Sequence, residues 1–255
     1  MNQFDGVQTS FLDINREERF FCTLLAHGLL SSFALRSGFF QLLATSSGVQ
    51  LSPAVGATEV YTEVAWLRDH WRALGDPRAW NESLEQRRIQ YLTDCLAVLK
   101  MDLADIEHEP FYRTSGAKPK VVSPGRWPLA QLSDSRLRNL KWAFNAKPDF
   151  IFVSNERAVI LEVKLESPPG KQGDYVQDEV QDVLGDLMPA VNGQVKSVGR
   201  AWLARSEVPS SAGTITWDQL VGVLSEVPQG EIDEFSRRGL WRQAGSAAQG
   251  HRGQG

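Results

Sequence analysis

Two cysteines, Cys22 and Cys95, are all that the 255 residues hold. They stand far apart, which excludes a disulfide framework and a CxxC metal knuckle and fits a reducing cytosol. The four histidines, His27, His70, His108 and His251, show no metal-ligand spacing. His27 reads as a core histidine inside an apolar helix, and His70 as a polar contact between helices. No uncharged stretch approaches the ~20 residues that span a bilayer. The most apolar segment, 20–44, is interrupted by His27, Arg36 and Gln41 and predicts a pair of buried helices. The opening residues lack a basic start followed by an apolar core, so a cytoplasmic protein without a secretory signal or membrane contact is expected. There is no GxxxxGK[ST] for nucleotide phosphates, and no GxSxG or Cys/His pairing for acyl chemistry.

Acidity dominates, with a net charge of −4, but positive charge is concentrated. Arg113, Lys118, Lys120, Arg126, Arg136, Arg138, Lys141 and Lys147 share one segment with a single acid, Asp134. A local basic zone on an acidic protein can contact phosphates; the same zone also reads as a solvated loop and helix.

Residues 15–100 carry helical periodicity. Asn15 and Glu18 have capping-box spacing, with Phe21, Leu24, Leu25 and Leu29 following. Further helices are predicted over 59–74, from Val60, Val64, Leu67 and Trp71, and over 81–100, from Leu84, Ile89, Leu92, Leu96 and Leu99. Residues 115–128 form a Gly/Pro-punctuated loop with a short strand at Val121–Val122. The stretch 129–145 fits helix and strand equally. Two strands follow, then a helix from Tyr175 to Met188, a strand from Val195 to Leu203, and a short strand entering a helix near Trp217. The Gly/Gln-rich tail, 243–255, is expected to be irregular.

The two strands carry the chemistry. Phe150–Val153 and Ala158–Leu161 flank the polar tetrapeptide Ser154–Arg157. A hairpin centred between Asn155 and Glu156 sets Asp149 opposite Glu162, with Cβ atoms roughly 5 Å apart. Lys164, two residues on, points to the same face. A one-residue slip would scatter the three. Two carboxylates so close repel unless a cation lies between them, and Mg²⁺ takes one or two carboxylates with waters and phosphate oxygens. A bound water would be acidified, and Lys164 would orient it or stabilise charge growing on phosphorus.

Pro148-Asp149, twelve residues, then Glu162-Val163-Lys164 resembles the PD-(D/E)XK nuclease superfamily, over about 145–205. The resemblance implies an α/β (α+β) fold with a mixed central sheet flanked by helices: a restriction-endonuclease-like core over 113–243, a helical N-terminal extension over 1–112 packed on it, and a disordered tail from 244. It implies a metal-dependent nuclease acting on nucleic acid, DNA in the first instance, with Mg²⁺ or Mn²⁺ as cofactor. The implied metal set is Asp149, Glu162, Val163 and an early acid, Glu18, with Glu17 and Glu63 as weaker alternatives. Lys164 and a glutamine on the following helix, Gln177 or Gln181, join Asp149 and Glu162 in catalysis. Lys120, Arg138, Lys141 and Lys147 are the expected nucleic-acid contacts. The acidic helix carrying Asp174, Asp178, Glu179, Asp182 and Asp186 is discordant, because it should repel phosphate. A role in defence against foreign DNA rests on analogy alone. The rival expectations are a non-catalytic nuclease-like binding module and a partner-activated subunit of a larger complex, with homodimer or protein contacts through the N-terminal helices.

Overall fold

The computed structural model describes residues 18–76, 78–115, 120–164, 171–172, 175–208 and 210–249. A five-stranded mixed sheet lies between two layers of helices. It is built from β1 (Glu59–Thr62), β2 (Phe150–Ser154), β3 (Arg157–Val163), β6 (Ser197–Ala204) and β7 (Gly213–Thr216), in the order β1-β2-β3-β6-β7. β1 pairs with β2 and β2 with β3 antiparallel, whereas β6 runs parallel to β3 and β7 parallel to β6. A separate two-stranded ribbon pairs β4 (Lys171–Gln172) with β5 (Tyr175–Val176).

Side-chain alternation sorts the sheet into two faces. Phe150, Phe152, Val159, Leu161, Val163, Ala201, Leu203 and Ile215 pack with α1 (Glu18–Ser31), α2 (Phe33–Ser47), α7 (Trp217–Glu226) and α8 (Glu234–Gln249). Ile151, Ala158 and Ile160 face the other way, toward α3 (Trp66–Ala73), α4 (Glu82–Val98), α5 (Ser135–Asn145) and α6 (Gln177–Asn192). Each fully buried Leu, Ile or Phe contributes roughly 1.5–3 kcal/mol of transfer free energy, so the two faces together drive the sandwich.

The helices start where the sequence supplies caps. Asn81 accepts from the Leu84 N–H at 2.8 Å, Asp134 from the Arg136 N–H at 2.8 Å, and Thr216 forms a capping box with Gln219. The Ser32 hydroxyl caps α2, and Gly48, at φ 72°, ends it in the left-handed region. The proposed cap Asn15 lies outside the described residues.

Four expectations are corrected or resolved. The stretch 59–74 is not one helix: residues 59–62 form β1, because Val60, Tyr61 and Thr62 suit a pleated edge and β2 offers a partner. Helix starts only at Trp66. The ambiguous stretch 129–145 resolves into a helix from Ser135, placing Leu137, Leu140, Ala143 and Phe144 inward. The backbone of α8 is helical to Gln249, through the first part of the tail expected to be irregular. Val121 forms only an isolated bridge with Arg113. The N-terminal residues also supply an edge strand and a packing layer, so the sheet is completed by both halves of the chain. Among the described residues no single helix is long and apolar enough to cross a membrane.

Candidate active site

The hairpin register places the site. Ser154 pairs with Arg157 and Phe150 with Leu161, so the turn is centred between Asn155 and Glu156, and Asp149 and Glu162 stand one step beyond the last pair. Asn155 sits at φ 54°, a conformation asparagine tolerates better than most residues. Asp149 and Glu162 lie on the face of Ile151 and Ile160, toward α3–α6.

The ladder changes at Pro148, and this is what recruits Asp149. In the hairpin register Val163 faces Pro148, which has no N–H to give. The Pro148 carbonyl is turned to the other neighbour, accepting from the Glu63 N–H at 3.2 Å. The Val163 N–H instead donates to Asp149 Oδ2 at 2.7 Å. N–H and C=O of one residue in an extended strand point to the same side, so the Val163 carbonyl is also directed toward β2.

Glu162 is 5% exposed, an unusual burial for a carboxylate. Gln177 Nε2 donates to its Oε2 at 2.9 Å, and Lys164 Nζ stands 3.8 Å from the same oxygen. The Lys164 backbone is held on two sides. Its N–H donates to the Leu203 carbonyl at 2.7 Å, and its carbonyl accepts from Trp217 Nε1 at 3.2 Å. Strand pairing thus fixes where the side chain starts, and the ammonium, its side chain 14% exposed, lies beside the Glu162 carboxylate.

No protein-family model, curated protein or solved structure matches this chain.

The structure brings Asp149, Glu162, Val163, Lys164 and Gln177 together at the open end of the hairpin. Gln181, one turn further along α6, is buried at 4% exposure. Glu18 starts α1, but its side chain, like all of Glu17, lies outside the described residues. Glu63 follows β1 and stands beside Asp149 in the sheet register, yet its carboxylate is ion-paired with Arg19 Nε at 2.7 Å and its φ of 51° breaks the strand alternation. Among the described residues no group of three or more His, Cys, Asp and Glu converges as a metal site. The donors at hand are two carboxylates and one carbonyl, an all-oxygen set that suits a hard divalent cation keeping several waters.

The basic residues are spread along the approach. Lys147 is exposed two residues before Asp149. Lys141 Nζ donates to the Gly125 carbonyl at 3.1 Å, and burial lowers its pKa. Arg138 Nη1 donates to the Leu132 and Ser133 carbonyls at 3.0 and 2.9 Å. Both tie the 124–133 loop to α5. Lys120 is partly exposed beside residues 116–119, which with Lys118 lie outside the described set.

The acidic helix is less discordant than its sequence. Arg200 of β6, with its side chain 11% exposed, ion-pairs with Asp178 at 3.2 Å and with Asp182. The Ser210 hydroxyl also donates to Asp178. Burial nevertheless raises the Asp182 pKa, with Arg200 opposing it. Two of the acids therefore serve to seat α6, and with it Gln177, on the sheet. A long-range partner of this kind leaves no local sequence signal.

Tyr175 gives a probe of the site that needs no activity. Burial, and after it the Glu162 charge, raise its phenol pKa, since a nearby carboxylate opposes a phenolate. Glu162→Gln is expected to lower the Tyr175 pKa part of the way to its ordinary value. Ultraviolet titration of the variant against Tyr175→Phe controls checks this, and an unchanged phenol would place Glu162 elsewhere.

Proposed function

We propose that this chain is a divalent-metal-dependent nuclease that hydrolyses phosphodiester bonds, in DNA in the first instance. The observation that carries the reading is the meeting of two carboxylates, Asp149 and Glu162, with the Lys164 ammonium at the end of one hairpin, where Gln177 secures Glu162. The mixed sheet, the apolar strand leading into Glu162-Val163-Lys164 and the helix after it support a restriction-endonuclease-like core.

Asp149, Glu162 and the Val163 carbonyl would hold Mg²⁺ or Mn²⁺. Such an ion, when bound, acidifies a water and offsets phosphate charge. The chain's own residues supply the rest. The Lys164 ammonium, beside Glu162, would meet either the attacking water or the oxygens that gain charge as the water oxygen bonds to phosphorus. The attacking water gives one proton to solvent as its oxygen bonds to phosphorus, the P–O bond to the leaving oxygen breaks, and that oxygen takes a proton from solvent. Gln177 keeps the Glu162 carboxylate in one rotamer, so the acidic oxygens are set before substrate arrives.

Calorimetric titration with Mn²⁺ and cleavage of single-stranded and plasmid DNA in Mg²⁺ against EDTA test the reading. The wild type is expected to bind Mn²⁺ and to cut only with metal, and Asp149→Asn to lose both. Binding also stabilises the fold by about 2.7 kcal/mol when free metal is a hundred times its dissociation constant, so melting temperature provides a further readout. Cleavage that ignores EDTA, or Mn²⁺ binding indifferent to Asp149→Asn, would remove the assignment.

A further inference from the structure

The solvent-side stripe of α5 reads Arg138, Lys141, Trp142 and Asn145, at helical spacings of three, four and seven from Arg138. Its opposite face is buried through Leu137, Leu140, Ala143 and Phe144. Trp142 is only partly buried, although most large apolar side chains of this layer are fully enclosed. It meets Tyr175 edge to face, with ring centroids 5.5 Å apart and planes at 88°. Tyr175 is also half-buried, and it lies two residues before Gln177, whose amide holds Glu162. A basic-and-aromatic strip thus runs along α5 and ends beside the candidate catalytic carboxylate. Lys147 adds an exposed positive charge at the far end of the same segment, next to Asp149.

This combination selects among nucleic acids. Cations attract any phosphate backbone and carry no information about strandedness. An aromatic face does carry it, because a base stacked within a duplex has both faces covered, while an unpaired base can lay one face on a tryptophan or tyrosine. Arg138 and Lys141 are tied to loop carbonyls but remain partly exposed, so they add positive potential along the strip. The acids of α6 nearest the sheet are occupied by Arg200 and so add little repulsion from that side.

We propose that Trp142 and Tyr175 form a stacking platform for an unpaired base beside Asp149, Glu162 and Lys164, so that the substrate is a single-stranded segment of nucleic acid rather than a fully paired duplex. The proposal rests on the nuclease reading for its catalytic consequence, but the platform itself is a binding claim and is tested without catalysis.

The experiment uses the full chain in EDTA and fluorescence anisotropy with labelled single-stranded DNA, single-stranded RNA and blunt duplex DNA of matched length. Wild type is expected to bind at least one single strand roughly 10-fold more tightly than duplex. Trp142→Ala is expected to weaken that binding by about 10-fold while leaving duplex binding little changed, and Trp142→Phe to restore most of it. The DNA and RNA arms decide which sugar the site accepts. Photocrosslinking of bromouracil oligonucleotides to the wild type, mapped by mass spectrometry, should reach Trp142 or Tyr175, and it covers the case in which an alanine variant does not fold. Equal affinity for single strand and duplex, or crosslinks only elsewhere, overturns the platform. Selective single-strand binding through Trp142 without metal-dependent cleavage of any substrate would sustain the platform and sink the nuclease reading. Cleavage of duplex and single strand alike, indifferent to Trp142→Ala, would do the reverse.

Discussion

Lys164→Ala should reduce the proposed Mg²⁺-dependent phosphodiester cleavage by roughly 10²–10³-fold, the cost of removing one preorganised electrostatic group from a site where charge would develop. The expectation follows from how the ammonium is held. Its backbone is fixed by Leu203 and Trp217, and its side chain is mostly enclosed beside Glu162, so little reorganisation is needed when the reaction begins. Asp149→Asn should cost at least as much, because it weakens metal binding as well as the chemical step. The double variant should fall little below the worse single variant, since groups acting as one unit are strongly non-additive. The variants separate in the binding experiment: Lys164→Ala is expected to keep Mn²⁺ affinity, whereas Asp149→Asn loses it. Single-turnover rates at saturating metal, with far-ultraviolet dichroism to check the fold, measure both. A Lys164→Ala variant within a factor of two of wild type would remove lysine from the proposed chemistry.

The hairpin was readable because its information is local. A polar turn between two apolar runs defines a register, and the register alone sets Asp149 against Glu162. The sequence offers Gln177 and Gln181 on one helix face, with Gln177 taken for the site, but which of them reaches Glu162 depends on how α6 sits on the sheet. That seating depends on Arg200 reaching Asp178 and Asp182 from β6, a contact between residues with no periodic relation. β1 carries a helical pattern in sequence, because Val60 and Val64 share helical spacing with Leu67 and Trp71. In a four-residue edge strand, pairing with β2 outweighs that pattern. α8 is the opposite case: glycines and glutamines weaken its helical signal, while Leu240 is buried against α1 and Ile232. The meeting of Trp142 with Tyr175 is likewise a product of packing, since α5 and β5 bring together rings from opposite sides of the hairpin in sequence.

Gly213→Ala should lower stability by about 3 kcal/mol, an overpacking cost at the upper end of the usual range. The reason lies where α2 ends on the sheet. A Cβ at Gly213 would stand 2.2 Å from the Ser46 carbonyl oxygen and 2.9 Å from the Ser46 carbonyl carbon and Cα. These are backbone atoms and cannot rotate away as a flexible side chain would. β6 has the same requirement at Gly199, where a Cβ would come within 2.8 Å of Ser47 O and of Val49 Cγ2. Two glycines on neighbouring strands therefore allow the last turn of α2 to settle directly on the sheet, and this seats the helical layer on the face opposite the candidate site. The loss corresponds to a melting temperature lower by roughly 6–12 °C for a chain of this size. Gly222→Ala and Gly185→Ala are the controls. Both lie inside helices, the first with open space around the added carbon and the second with its nearest neighbour at 3.6 Å. Alanine there should raise stability by roughly 0.5–1 kcal/mol by restricting the unfolded backbone. Thermal melts of the variants check the contrast. If Gly213→Ala melted with the controls, the contact between α2 and β7 would be looser than the backbone distances require, and the seating of that layer would have to come from its apolar side chains alone.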